Sequence, residues 1–141
     1  MITVSVYGEK VKGKKMTNVK DRYEFIEEMF EKLGRISVEQ IVGRYTKLIP
    51  RGRHWMGLCP FHQDTKLGSF IVTPDKGMWK CFSCGDEYAG NGVKFVSLYK
   101  NITYLEAAFE IAYEFGLITY DEYRRYYRRK YDELYVKKIE S

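Results

Sequence analysis

The sequence predicts an α+β fold in which a small antiparallel sheet carries flanking helices on its N- and C-terminal sides. Three observations lead there. Cys59, His62, Cys81 and Cys84 are spaced as C-x2-H-x18-C-x2-C, two short knuckles that could close on one ion. Three segments, Arg53 to Leu58, Ser69 to Thr73 and Met78 to Phe82, are rich in aromatic or branched residues and are separated by Pro, Gly, Asp and Lys, the composition of short strands joined by turns. Before and after them the apolar residues fall at helical spacing behind capping residues.

Thiolate and imidazole are the ligands of structural zinc, and four protein ligands leave no open position for substrate or activated water. The expected cofactor is therefore one Zn2+ that holds the fold and does no chemistry. The chain has three cysteines, and all three fall inside the pattern. An odd count suits a disulfide framework poorly, whereas a reducing compartment keeps thiolates free for metal. Cys81-Phe82-Ser83-Cys84 alone could be a redox dithiol, but that reading wants a βαβ context absent from the surrounding residues. His54, the second histidine, reads as a partly exposed strand residue.

In chain order, Ile2 to Tyr7 alternates weakly like a strand, and Lys10, Lys12, Gly13, Lys14 and Lys15 read as a turn or arm. Asp21 is placed to cap a helix with apolar positions Phe25, Ile26, Met29, Phe30 and Leu33 and Gly34 as its stop. Ser37 and Gln40 make a capping box for a short helix through Ile41 and Val42. The three strands follow. The first knuckle leaves the first strand and the second leaves the third, so one ion can clamp both at the same end. A sheet this small buries too little to fold unaided, and metal binding supplies on the order of 10 kcal/mol in small zinc domains. Gly85 to Asn91 reads as a loop, Val93 to Tyr99 as a helix packed on the sheet, and Thr103 with Glu106 as the capping box of a helix that Gly116 ends. Thr119 and Glu122 repeat the device for a last helix toward Lys137, with Tyr120, Tyr123, Tyr127, Tyr131 and Leu134 on one stripe. That stripe suits either packing or base stacking beside arginines.

The formal charge of the 141 residues is +5, and it is concentrated around the ligands: Arg44 to Cys84 holds seven basic residues against Asp64 and Asp75, a net +5. Such a module has the electrostatic footprint of a polyanion binder. No apolar run approaches the roughly 20 residues of a membrane span, and neither terminus reads as a signal peptide. A cytoplasmic protein without a membrane partner is expected.

These residues resemble the zinc-binding domain, or CHC2 zinc finger, of bacterial and phage DnaG-type DNA primases. Ile41-Val42-Gly43-Arg44-Tyr45 looks like the family's first helix and Gly57-Leu58-Cys59-Pro60-Phe61-His62 like its first knuckle. Ser69-Phe70, Pro74, Lys76 and Cys81-Phe82-x-Cys84-Gly85 are similar to its strands and second knuckle, and Lys94-Phe95-Val96 and the Glu106-Ala107 helix continue the match. The resemblance covers residues 36–118. It divides the chain into an N-terminal extension with a helix (1–35), a primase-type zinc domain (36–118) and a Tyr/Arg-rich C-terminal helix (119–141). Two features depart from it. Leu67-Gly68 stands where the family usually has Thr-Pro, and the glycine loop after the second knuckle is longer, adding Asp86, Glu87 and Tyr88.

The resemblance implies a zinc-ribbon sheet that engages single-stranded template, with synthesis left to a separate Toprim-type domain whose clustered carboxylates hold metal ions. This chain has no Asp-x-Asp pair, so no enzyme activity is expected. The leading expectation is a single-stranded DNA-binding module for the replication of a phage, plasmid or other mobile element, working with a primase, polymerase or helicase on another chain. Its phosphate contacts are expected from Arg51, Arg53, Lys66, Lys76 and Lys80, and its stacking candidates are Trp55, Phe70, Trp79 and Phe82. Some of these aromatics must instead be core, because strand alternation sends Trp79 and Lys80 to opposite faces. The alternative is a zinc-stabilised adaptor that docks a replication or regulatory protein and touches no nucleic acid.

Overall fold

The computed structural model describes residues 19–128. The expected strand at Ile2 to Tyr7, the lysine run after it, and Tyr131 and Leu134 of the last stripe lie outside the described residues.

Helix α1 (Val19–Leu33) leads into α2 (Val38–Val42) and then a five-stranded sheet: β1 (Leu48–Arg51), β2 (His54–Gly57), β3 (Phe70–Thr73), β4 (Met78–Cys81) and β5 (Ala89–Gly90). Helices α3 (Gly92–Lys100), α4 (Tyr104–Glu114) and α5 (Tyr120–Glu122) follow, and α5 runs on into a π-helical segment, Tyr123–Arg128. The strands form an antiparallel meander in sequence order. The three expected strands are β2, β3 and β4. Two more were hidden: β1 carries Pro50, which an edge strand tolerates because its outer N–H side needs no partner, and β5 is a two-residue pairing inside the loop 85–91.

The capping signals hold. Gln40 accepts from the Ser37 backbone N–H at 3.2 Å and from its hydroxyl at 2.8 Å. Thr103 and Glu106 exchange bonds of 3.1 and 2.9 Å, as do Thr119 and Glu122. Gly116 follows α4 with φ +74°, the left-handed turn that glycine adopts without strain. One expectation fails: α1 is already helical at Val19, so Asp21 lies inside its first turn and does not cap it.

Register sorts the sheet into two faces. Phe70, Val72, Trp79 and Cys81 turn to one side and are fully buried. Phe95 of α3 fills the space beneath them, meeting the Trp79 ring edge-on at 5.3 Å and Phe61 at 5.3 Å. Helix α2 presses against α3 so closely that a Cβ on Gly92 would come within 2.6 Å of the Ile41 side chain. Helix α1 closes the far side of α4: Met29 and Leu33 are buried, and Phe25 stacks on Phe109 and on Tyr126 at 6.3 and 4.1 Å. At the end of α3, the Lys100 ammonium donates to Glu110 at 2.7 Å and lies 3.6 Å from Glu114, tying α3 to α4. Of the tyrosine stripe, Tyr123 packs on Tyr127 and Tyr127 on Phe109, while Tyr120 is exposed.

Among the described residues no helix covers the second sheet face. Ile49, Met56, Ile71, Lys80 and Ala89 form one row across all five strands. Beside it run Arg51, His54, Thr73 and Met78. His54 opens β2 as an exposed residue, 3.4 Å from the Thr73 hydroxyl.

Candidate metal centre and sheet face

Each ligand is placed by a different local device. Cys81 ends β4 and is fully buried, and its N–H donates to the Tyr88 carbonyl. Cys84 lies three residues on, ahead of Gly85 at φ +106°. Cys59 follows β2, and the knuckle after it is anchored by Phe61, whose ring meets Trp79, Tyr88 and Phe95 at 5.3–5.4 Å. The apolar core thereby holds the turn that delivers His62.

The four ligand atoms lie within 4.8 Å of one another. Cys59 and Cys84 sulfurs are 3.8 Å apart, and the His62 Nδ1 is 3.1 Å from the Cys84 sulfur and 3.6 Å from that of Cys81. A tetrahedral zinc with Zn–S bonds near 2.3 Å sets its sulfurs about 3.8 Å apart. Donor set and spacing therefore fit Zn2+ in a closed Cys3His site. Burial pushes the Cys59 thiol up to about 12 and raises Cys84 as well. Burial also opposes ionisation of Cys81, but hydrogen bonding to the Cys84 and Cys59 sulfurs outweighs it and lowers its pKa. A divalent cation supplies the charge that three crowded thiolates need. Three thiolates and one Zn2+ still sum to −1, so attraction for an anion must come from the surrounding lysines and arginines.

Asp64 is the residue that composition concealed. Its Oδ2 accepts from the Cys59 N–H at 2.8 Å, its Oδ1 lies 3.7 Å from His62 Nε2, and its side chain is 9% exposed. The Cys59 N–H lowers its pKa from the ordinary value. The signal in sequence was an acidic residue two places after the histidine ligand, in a span where bases outnumber acids seven to two.

The other expected site residues separate by sheet face. Arg51, Lys80 and Phe82 belong to the open face. Phe82 is 61% exposed, with the Lys80 ammonium 5.0 Å from its ring centre. Arg53 is exposed in the β1–β2 turn, Lys66 in the loop 63–69 and Lys76 in the 3-10 turn Pro74–Lys76. Two stacking candidates are corrected: Phe70 and Trp79 are 0% and 1% exposed and belong to the core, because their register places them on the helix-covered face. Trp55 is half-buried on that same face. Asp86, from the lengthened loop, pairs with Lys80 at 3.3 Å but is itself almost fully exposed. Such a surface pair contributes about 0–1 kcal/mol, and Lys80 can exchange it for a phosphate.

A concavity of about 430 Å3 opens between α1, α2, α3 and the start of α4 and is walled by Phe30, Leu33, Ile36, Val93 and Tyr104. It lies apart from the ligands. Among the described residues no helix is long and apolar enough to cross a membrane.

Comparison with known proteins meets this geometry directly. The family model described as CHC2 zinc finger matches residues 22–127. The chain belongs to that family, the zinc-binding domain of DnaG-type DNA primases. As a CHC2 zinc finger it is 39% identical to the DNA primase of Clostridium acetobutylicum over 107 residues, 74% of this chain and 17% of that protein. It is 42% identical to the DNA primase of Aquifex aeolicus over 81 residues, 57% of this chain and 16% of that protein. A crystal structure of the Aquifex aeolicus primase, comprising zinc-binding and RNA polymerase domains, superposes with a TM-score of 0.55 at 40% identity, covering 64% of this chain and 21% of that one. The chain thus spans about a fifth or less of the primases that it matches, the part that holds their zinc domain. The matched span is wider than residues 36–118, taking in most of α1 and the π-helical segment.

Proposed function

We propose that this CHC2 zinc finger binds single-stranded DNA through the open face of its sheet, in the cytoplasm, as an accessory to priming or replication. Nucleotide transfer is then the work of a catalytic domain outside these 141 residues, and a phage, plasmid or other mobile element is the setting that we favour. The observation that carries the reading is the pairing of Lys80 with Phe82. An exposed aromatic ring beneath a cation, on a sheet face that no helix covers among the described residues, offers a base a stacking surface and a phosphate a counter-charge. Arg51 lies on the same face, and Arg53, Lys66 and Lys76 are exposed in turns and loops that join the strands.

The test is fluorescence anisotropy of the zinc-loaded protein with labelled single-stranded and duplex DNA across a salt series. Micromolar, salt-sensitive preference for single strands supports the reading. No binding at low salt would sink it and favour the adaptor reading, for which the apolar concavity beside Phe30 and Tyr104 is the available surface. A protein complex there would survive salt, because buried apolar contacts are not screened.

A further inference from the structure

We propose that Asp64 is the positioning residue of the metal centre, holding His62 with Nδ1 toward the sulfurs while fixing the Cys59 turn, so that one carboxylate sets the geometry of both ligands of the first knuckle. This rests on the zinc assignment and is independent of the nucleic-acid reading.

The His62 ring has two nitrogens and only one faces the sulfurs. Nδ1 is 3.1 and 3.6 Å from the sulfurs of Cys84 and Cys81. A nitrogen that ligates a cation must offer a lone pair, so the single proton of the neutral ring has to sit on Nε2. That nitrogen lies 3.7 Å from Asp64 Oδ1. The distance exceeds a hydrogen bond, yet the carboxylate's negative charge beside Nε2 favours the tautomer that carries its proton there. A histidine ligand generally owes its orientation to the group that its second nitrogen meets.

The second half of the role is in the backbone. Oδ2 of Asp64 accepts from the Cys59 N–H at 2.8 Å and lies 3.5 Å from the Ser69 hydroxyl, and Oδ1 is 3.5 Å from the Lys66 N–H. Ser69 directly precedes β3, and the Lys66 N–H belongs to the loop leading to it. The carboxylate therefore joins the first knuckle to the strand beside it. Each neighbour presents, or can present, a hydrogen: two backbone N–H groups, a hydroxyl and the imidazole Nε2–H. Only an acceptor on both oxygens answers all of them. Asparagine has nearly the same shape but must turn its NH2 toward a donor on one side or the other.

Asp64→Asn is the informative variant. Zinc affinity is read by competition with a chromophoric chelator, and the ligating nitrogen of His62 by long-range 1H–15N spectra of the zinc-loaded protein. Wild type is expected to show Nδ1 ligated and a proton on Nε2. Asp64→Asn is expected to bind zinc about 10–100-fold more weakly and to lose the protected Nε2–H signal, while Asp64→Glu restores part of both. Nε2 ligation in the wild-type protein would overturn the proposal without any variant. Unchanged zinc affinity in Asp64→Asn would also overturn it. Weaker zinc with an unaltered His62 spectrum would overturn the tautomer role and leave Asp64 a residue of the Cys59 turn alone.

Discussion

Lys80 and Cys81 are consecutive residues of β4 that serve opposite faces of the sheet. Cys81 is fully buried with its sulfur among the metal ligands, and Lys80 stands over the Phe82 ring on the open face. The two-residue period of a strand makes this unavoidable. Whatever fixes the sulfur also fixes the cation beside it.

Metal removal should therefore act on both. Chelation is expected to lower the thermal midpoint strongly and to abolish single-strand binding together with it, followed by circular dichroism and anisotropy on the same samples. The pH dependence has a definite sign. With Cys59 pushed up to about 12, its thiol holds a proton through the neutral range and must release it to bind metal. Zinc affinity should rise with pH by at least about tenfold per unit for that one proton and fall as the solution is acidified. Competition titrations between pH 6 and pH 8 check this, and a flat profile would contradict it.

The aromatic residues around the second knuckle should divide by face. Phe82→Ala removes an exposed ring, so the thermal midpoint should hold while DNA binding weakens by about 1–3 kcal/mol, the usual worth of one base–aromatic stack. Phe70→Ala and Trp79→Ala should instead cost about 3–5 kcal/mol of stability. Lys80→Ala should reduce the salt slope of single-strand binding by about 0.7, one phosphate contact. Denaturation curves and salt titrations on the four variants separate the groups.

Helix α1 should behave as part of the domain. Phe25 stacks on Tyr126 and Phe109, so Phe25→Ala should destabilise by about 2 kcal/mol, below the range for a fully buried ring because this one is only partly covered. Zinc affinity should not change, since the ring lies across α4 from the ligands. A variant as stable as wild type would mark α1 as a dispensable extension.

What was legible in the sequence was local or covalently spaced. The ligand pattern named the metal, since two knuckles of fixed span admit few arrangements. Three capping boxes named their helices, because an N-cap and its N3 partner are neighbours in the chain. Strands β1 and β5 were not legible: a proline-bearing edge and a two-residue pairing carry no pattern of their own and exist only because a neighbour offers a ladder. Asp64 was hidden for a related reason, since as one acid among bases it counted only as diminished charge.

The sequence by itself determined the Cys3His donor set, the helix starts at Ser37, Thr103 and Thr119, and the concentration of positive charge between Arg44 and Cys84. Tertiary structure alone decided which aromatic rings are core and which are surface. Phe70 and Phe82 read alike as residues at strand ends, yet one is sealed under α3 and the other is open to solvent. Exposure depends on which sheet face the helices cover, and that follows from register and packing between segments far apart in the chain.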